Sequence, residues 1–95
     1  MERWLVAYDV LDDRRRMKLA NLLEGYGDRV QFSVFEIFAS KEELQRMVVL
    51  VKGVIKKDED SVRVYPVCNG CIKKMMTLGV AESIEPWHDP DVYVY

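Results

Sequence analysis

The chain has 95 residues, 49% of them apolar and 32% charged, with a net charge of −2 at neutral pH. One domain fits that length and two do not. The apolar share is that of a folded chain, and no apolar run approaches the roughly 20 residues of a membrane span. The opening Met1-Glu2-Arg3-Trp4 lacks the apolar segment of a signal peptide, so a cytoplasmic protein is expected. A domain this small buries only about 60–65% of its unfolded surface, and a second copy would thicken its core.

The apolar run Leu5-Val6-Ala7-Tyr8 reads as a buried strand ending at Asp9. Asp12 or Asp13 can cap a following helix by accepting the free N–H groups of its first turn. Met17, Leu19, Ala20, Leu22, Leu23 and Tyr26 then recur at helical spacing, and Gly25 and Gly27 stop the helix. Residues 30–38 alternate loosely and are rich in β-branched and aromatic types, which predicts a long second strand. Ser40 with Glu43 three residues on is a capping box, opening a helix with Leu44, Met47, Val48, Val51 and Ile55 on one face. Lys56-Lys57 is expected to end it, where cations suit the helix dipole. Val62-Arg63-Val64-Tyr65 is a third strand, and a shorter one is expected at Met75-Met76-Thr77-Leu78, ended by Gly79. The run 92–95 closes the chain as a further strand. The class is α+β. The order becomes βαββαβ only if the nine residues 30–38, which hold neither Gly nor Pro, form a bent pair.

Several residue groups can carry chemistry. Asp9 follows four apolar residues, and a carboxylate buried there costs free energy unless it is paired or binds metal. It can equally close a turn with Asp12 or Asp13. Arg14, Arg15, Arg16 and Lys18 crowd into five residues, either as a solvated helix face or as phosphate contacts. The acidic run Asp58-Glu59-Asp60 is expected elsewhere on the molecule. Cys68-Asn69-Gly70-Cys71 has the spacing of half a zinc site or of a turn with two small thiols. His88, between two prolines, is a loop residue or a lone base. No Gly-rich phosphate loop and no nucleophile elbow is present.

Taken in order, Tyr8-Asp9-Val10, Asp12-Asp13-Arg14-Arg15-Arg16, Tyr26-Gly27, Arg29-Val30-Gln31, Ser33-Val34-Phe35-Glu36 and Arg63-Val64-Tyr65-Pro66-Val67 closely resemble the Cas-two family of small CRISPR-associated adaptation proteins. The resemblance covers roughly residues 4–80. It implies a ferredoxin-like βαββαβ sandwich over 1–80, with the second strand bent into two segments. It also implies a tail over 81–95 whose extra strand completes a partner's sheet, and a homodimer with facing sheets. The implied role is CRISPR spacer acquisition, with the dimer bridging integrase dimers on incoming double-stranded DNA. The implied activity is that of a magnesium-dependent endonuclease on single-stranded RNA or double-stranded DNA. By the same resemblance Asp9 is the catalytic metal ligand, the first-helix arginines are Arg15 and Arg16, and Ser33 and Phe35 are the second-strand serine and phenylalanine. A Mg²⁺ shared across the two-fold axis would take both copies of Asp9. The second reading is a ribonuclease toxin of the virulence-associated D type, which shares the fold and the first-strand aspartate. The segment 82–91 departs from the family pattern.

Overall fold

The computed structural model describes residues 2–76, 78 and 79. The expected closing strand at 92–95 and the loop carrying His88 lie outside these residues. The described chain runs β1 (Glu2–Asp9), α1 (Asp13–Glu24), β2 (Gly27–Gln31), β3 (Val34–Ala39), α2 (Lys41–Val54), β4 (Ser61–Val67) and α3 (Asn69–Lys73). The strands form one antiparallel sheet in the order β2-β3-β1-β4, which with the βαββαβ chain order is the ferredoxin-like fold. None of the helices among the described residues is long and apolar enough to cross a membrane.

Local chemistry starts both long helices where the sequence places them. Asp12 caps α1, its carboxylate accepting the Arg15 N–H at 2.9 Å, and Gly25 ends the helix. The Ser40–Glu43 capping box is complete, with reciprocal 3.2 Å bonds between each side chain and the other residue's N–H. α2 stops at Val54, short of Lys56-Lys57, because Ile55 turns to extended backbone while its N–H still reaches the Val51 carbonyl at 3.1 Å.

Residues 30–38 are a hairpin and not one strand. Phe32 and Ser33 make the turn, and β2 begins earlier than expected, at Gly27. The turn forms without Gly or Pro because β1 holds it: the Tyr8 N–H donates to the Ser33 carbonyl at 3.0 Å and the Tyr8 hydroxyl to the Phe32 carbonyl at 3.3 Å. Gly25 alone ends α1, and Gly27 opens β2 instead. It pairs with Ile37 across β2 and β3, and a Cβ on it would lie 2.1 Å from the Glu36 carbonyl oxygen, so only glycine fits.

The expected strand at 75–78 is absent: Met75, Met76 and Leu78 are not in a strand, and Thr77 lies outside the described residues. The preceding segment instead coils into α3, and the Met75 N–H still donates to the Ile72 carbonyl at 3.1 Å. Cys68 caps this helix, so the CNGC run is a helix start and not a simple turn.

α1 and α2 cover one face of the sheet. Val6, Tyr8, Phe35, Ile37 and Ala39 from the strands meet Leu19, Ala20, Leu23, Met47 and Val51 from the helices in a single core. Strand alternation sends Leu5, Ala7 and Asp9 of β1, Val34, Glu36 and Phe38 of β3, and Arg63, Tyr65 and Val67 of β4 to the opposite face. Pro66 is tolerated because β4 is an edge strand.

Candidate active site

Asp9 ends β1 opposite Ser61, the first residue of β4. It is exposed, which differs from the buried carboxylate expected from the four apolar residues before it. The alternation explains this: Tyr8 takes the core-facing place, and Asp9 falls on the opposite face at the end of the strand. The antiparallel register gathers other groups at the same end. The Phe32-Ser33 turn lies there, held to Tyr8, and the loop Val10-Leu11-Asp12 delivers the basic first turn of α1. Ser61 and the turn residue Phe32, whose side chain is almost fully exposed, were not legible as neighbours of Asp9 in the sequence. Only strand pairing brings them close, and pairing leaves no local signal.

The basic run divides in two. The Arg15 Nε donates to Asp60 Oδ2 at 2.8 Å, and its Nη2 donates to Asp60 Oδ1 at 3.2 Å and to Glu59 Oε2 at 3.0 Å. The acidic run is therefore not elsewhere on the molecule: it holds the first turn of α1. The Asp60 carboxylate also accepts the Lys56 N–H at 2.9 Å. The Arg15 guanidinium, and then that N–H, hold the Asp60 carboxyl below the usual carboxylate range. Arg16 donates to the Val10 and Leu11 carbonyls at 3.1 and 3.3 Å and pairs with Asp13. Arg14 and Lys18 are exposed and form no ion pair among the described residues.

Ser33 is half-buried in the hairpin turn, and its carbonyl is the acceptor for Tyr8. Phe35 is fully buried, its ring centroid 6.3 Å from that of Tyr8, and the Arg29 guanidinium lies 5.5 Å from its ring centre. The structure thus joins Asp9, Ser33 and the basic run at one end of the sheet and places Phe35 beneath them as packing. No cluster of three or more metal-ligating side chains occurs among the described residues. One exposed carboxylate is a hard oxygen donor of the type Mg²⁺ takes, since that ion keeps most of its waters and uses one or two carboxylates. Within one chain Asp9 supplies a single such carboxylate.

The same face of the sheet as Asp9 carries a second unusual carboxylate. Glu36 is only 8% exposed, sits beside Leu5 and Asp28 in the register, and has no hydrogen-bond partner among the described residues. Burial, reinforced by the Asp28 charge, pushes its carboxyl up to about 7.

The family profile described as CRISPR associated protein Cas2 matches residues 1–75. A curated relative from Rhodospirillum rubrum, a CRISPR-associated endoribonuclease Cas2, is 40% identical over 94 residues, covering 99% of this chain and 75% of the relative. One from Synechocystis, with the same designation, is 48% identical over 83 residues, covering 87% and 90%. Among solved structures, Streptococcus pyogenes Cas2 at pH 6.5 superposes with a TM-score of 0.75 at 32% identity, over 81% of this chain and 99% of that one. A chain of a partial Cas6-RT-Cas1–Cas2 complex superposes with a TM-score of 0.74 at 34% identity, over 82% and 91%. Profile, relatives and fold agree with the motifs read in the sequence, and this chain belongs to the CRISPR-associated Cas2 family.

Proposed function

We propose that two copies of this chain form a cytoplasmic homodimer that bridges CRISPR integrase dimers on incoming double-stranded DNA. The proposal includes slow, magnesium-dependent phosphodiester cleavage of single-stranded RNA or double-stranded DNA at Asp9. The observation that carries it is that Asp9 shares a sheet face with an apolar surface that α1 and α2 leave uncovered. Phe38 and Tyr65 on that face are 47% and 43% exposed. Pairing two such faces buries apolar area and covers the side of the sheet that the helices leave open. It also draws two Asp9 carboxylates toward one axis. In this reading residues 1–80 are the domain, and the tail 81–95 supplies the run 92–95 to the outer edge of β4 in the partner. Names support the activity and the assembly: the relatives are designated endoribonucleases, and one structural neighbour comes from a complex containing Cas1 and Cas2. Family membership leaves the toxin reading without support.

Asp9 from each copy would hold Mg²⁺, which when bound polarises a phosphate oxygen and acidifies a coordinated water. The chain's own groups position the nucleic acid. Arg14 and Lys18 face solvent on α1, and doubled across the dimer they meet phosphates without reading sequence. Arg15 and Arg16 set the shape of that surface through their bonds to Asp60 and to the Val10 and Leu11 carbonyls.

The test is Asp9→Asn, assayed side by side for cleavage and for integration with the integrase. Asparagine keeps the shape and removes the charge that attracts a hard cation. Metal-dependent cleavage is expected to disappear while the dimer and DNA bridging persist. Cleavage at the wild-type rate in the variant removes Asp9 from the mechanism.

A further inference from the structure

Cys68 and Cys71 take no part in the site described above. They lie at the other end of β4, beyond Val67, whereas Asp9 faces Ser61 at its start. Cys68 is the N-cap of α3, and its Sγ accepts the Cys71 N–H at 3.4 Å. The same turn places the two sulfurs 3.3 Å apart, both exposed. The turn is anchored on two sides. The Asn69 Oδ1 accepts from Arg3 Nη1 of β1 at 2.8 Å, and Ile72 is fully buried. Gly70 leaves the space above Cys68 open, since a Cβ there would approach its Sγ no closer than 3.8 Å.

We propose that Cys68 and Cys71 are a reversible dithiol–disulfide pair that exchanges with low-molecular-weight disulfides of the glutathione type. Exposure gives the reagent access, and adjacency lets the second thiol displace the first adduct. The Cys68 thiolate attacks one sulfur of the small disulfide, and the released thiolate takes up the proton that Cys68 gave to solvent. Cys71, deprotonated in turn, attacks Cys68 Sγ of the mixed disulfide. The second small thiolate leaves and is protonated. Two electrons pass from the protein to the reagent, one Sγ–Sγ bond forms, and two small thiols are released. The backbone N–H of Cys71, then its side chain, hold the Cys68 thiol below its ordinary range, which favours the attacking form. A bond length of about 2.0 Å asks little more than an ångström of sulfur motion. The alternative use, a closed tetrahedral metal site, needs four ligands, and the CNGC run brings two.

The experiment equilibrates the reduced full chain with mixtures of oxidised and reduced glutathione. The thiols are then quenched by alkylation, and the intact mass is read. The expected result is a chain that loses two hydrogens as the oxidised share rises and regains them as it falls. Cys68→Ser and Cys71→Ser should each stop at one added glutathione per chain. Wild type that stops at a stable glutathione adduct, cross-links to a second chain, or stays fully alkylatable at every ratio overturns the proposal. Stoichiometric zinc in the purified protein that blocks oxidation until a chelator removes it overturns it as well. The wild-type measurement stands alone if a variant fails to fold.

Discussion

The two faces of the sheet answer the same strand sequences in opposite ways. On the helix-covered face the central side chains are spent inside the chain: Phe35, Ile37 and Val6 are fully buried against α1 and α2. On the other face Phe38 and Tyr65 remain about half exposed, and Glu36 is desolvated without a hydrogen-bond partner among the described residues. The basic run divides along the same line, with Arg15 committed to Asp60 and Arg14 left to solvent. The difference separates groups that make the domain from groups that await something outside it. A single chain already satisfies the first set, so the second set is where partners and ligands are to be sought.

The sharpest way to break this comparison is to shorten one phenylalanine on each face. Phe35→Ala removes a fully buried ring and should cost about 3–5 kcal/mol, a large part of the stability of a small domain. Phe38→Ala should leave monomer unfolding nearly unchanged. It also removes the ring over which the Arg3 guanidinium lies at 5.0 Å. Its effect should fall on self-association, weakening the dimer about tenfold or more. Denaturant melts and sedimentation across concentration separate the two outcomes. If Phe38→Ala unfolds the monomer as Phe35→Ala does, the second face is core and not interface.

How much of this was legible follows the range of the interactions. The helix starts at Asp12 and Ser40 were readable because each cap and its partner lie three residues apart. The hairpin inside residues 30–38 was not readable from composition, since what bends it is the Tyr8 N–H, distant in sequence. The resemblance supplied the bend; the residues alone did not. The clamp of Arg15 on Asp60 joins residues 45 positions apart, so two charge runs that looked independent are one structural feature. α3 went unseen because the CNGC run carries turn residues, and its cap is a thiol and not the usual short oxygen side chain. Asp9 was found as a residue, but its exposure and its place on the open face needed the strand register.

Glu36 sharpens the comparison through pH. Its folded-state carboxyl is raised to about 7 by burial, so the folded chain holds the proton more tightly than the unfolded one. The sign follows. Its unfavourable contribution is absent below the ordinary glutamate range, grows as pH rises through about 7, and then levels off. Stability should therefore decline by an amount on the order of 1–3 kcal/mol between roughly pH 5 and 8. Glu36→Gln, neutral throughout, should flatten that decline when melts are compared across the range. A decline that survives the substitution assigns the pH dependence to other groups.

The smallest expected effect on stability comes from the basic run, where the comparison becomes one of function. Arg14 and Lys18 pair with nothing among the described residues, so the double change Arg14→Ala with Lys18→Ala should move stability by no more than about 0.5 kcal/mol. Each lost phosphate contact should weaken duplex binding regardless of sequence and reduce the salt slope by roughly 1. Arg15→Ala should do the reverse. It leaves the Asp60 carboxylate, whose side chain is 1% exposed, without its guanidinium, and should lower the melting temperature by roughly 5–10 °C. The freed Asp60 then loses the partner that keeps its carboxyl low, so the stability gap between wild type and variant should be widest near neutral pH and narrow as acid protonates that carboxyl. Melting curves and salt titrations of duplex binding, run on both variants, decide the assignment. If Arg14→Ala with Lys18→Ala keeps the wild-type salt slope, the outward half of the run is only a solvated helix face, and the nucleic-acid surface lies elsewhere on the chain.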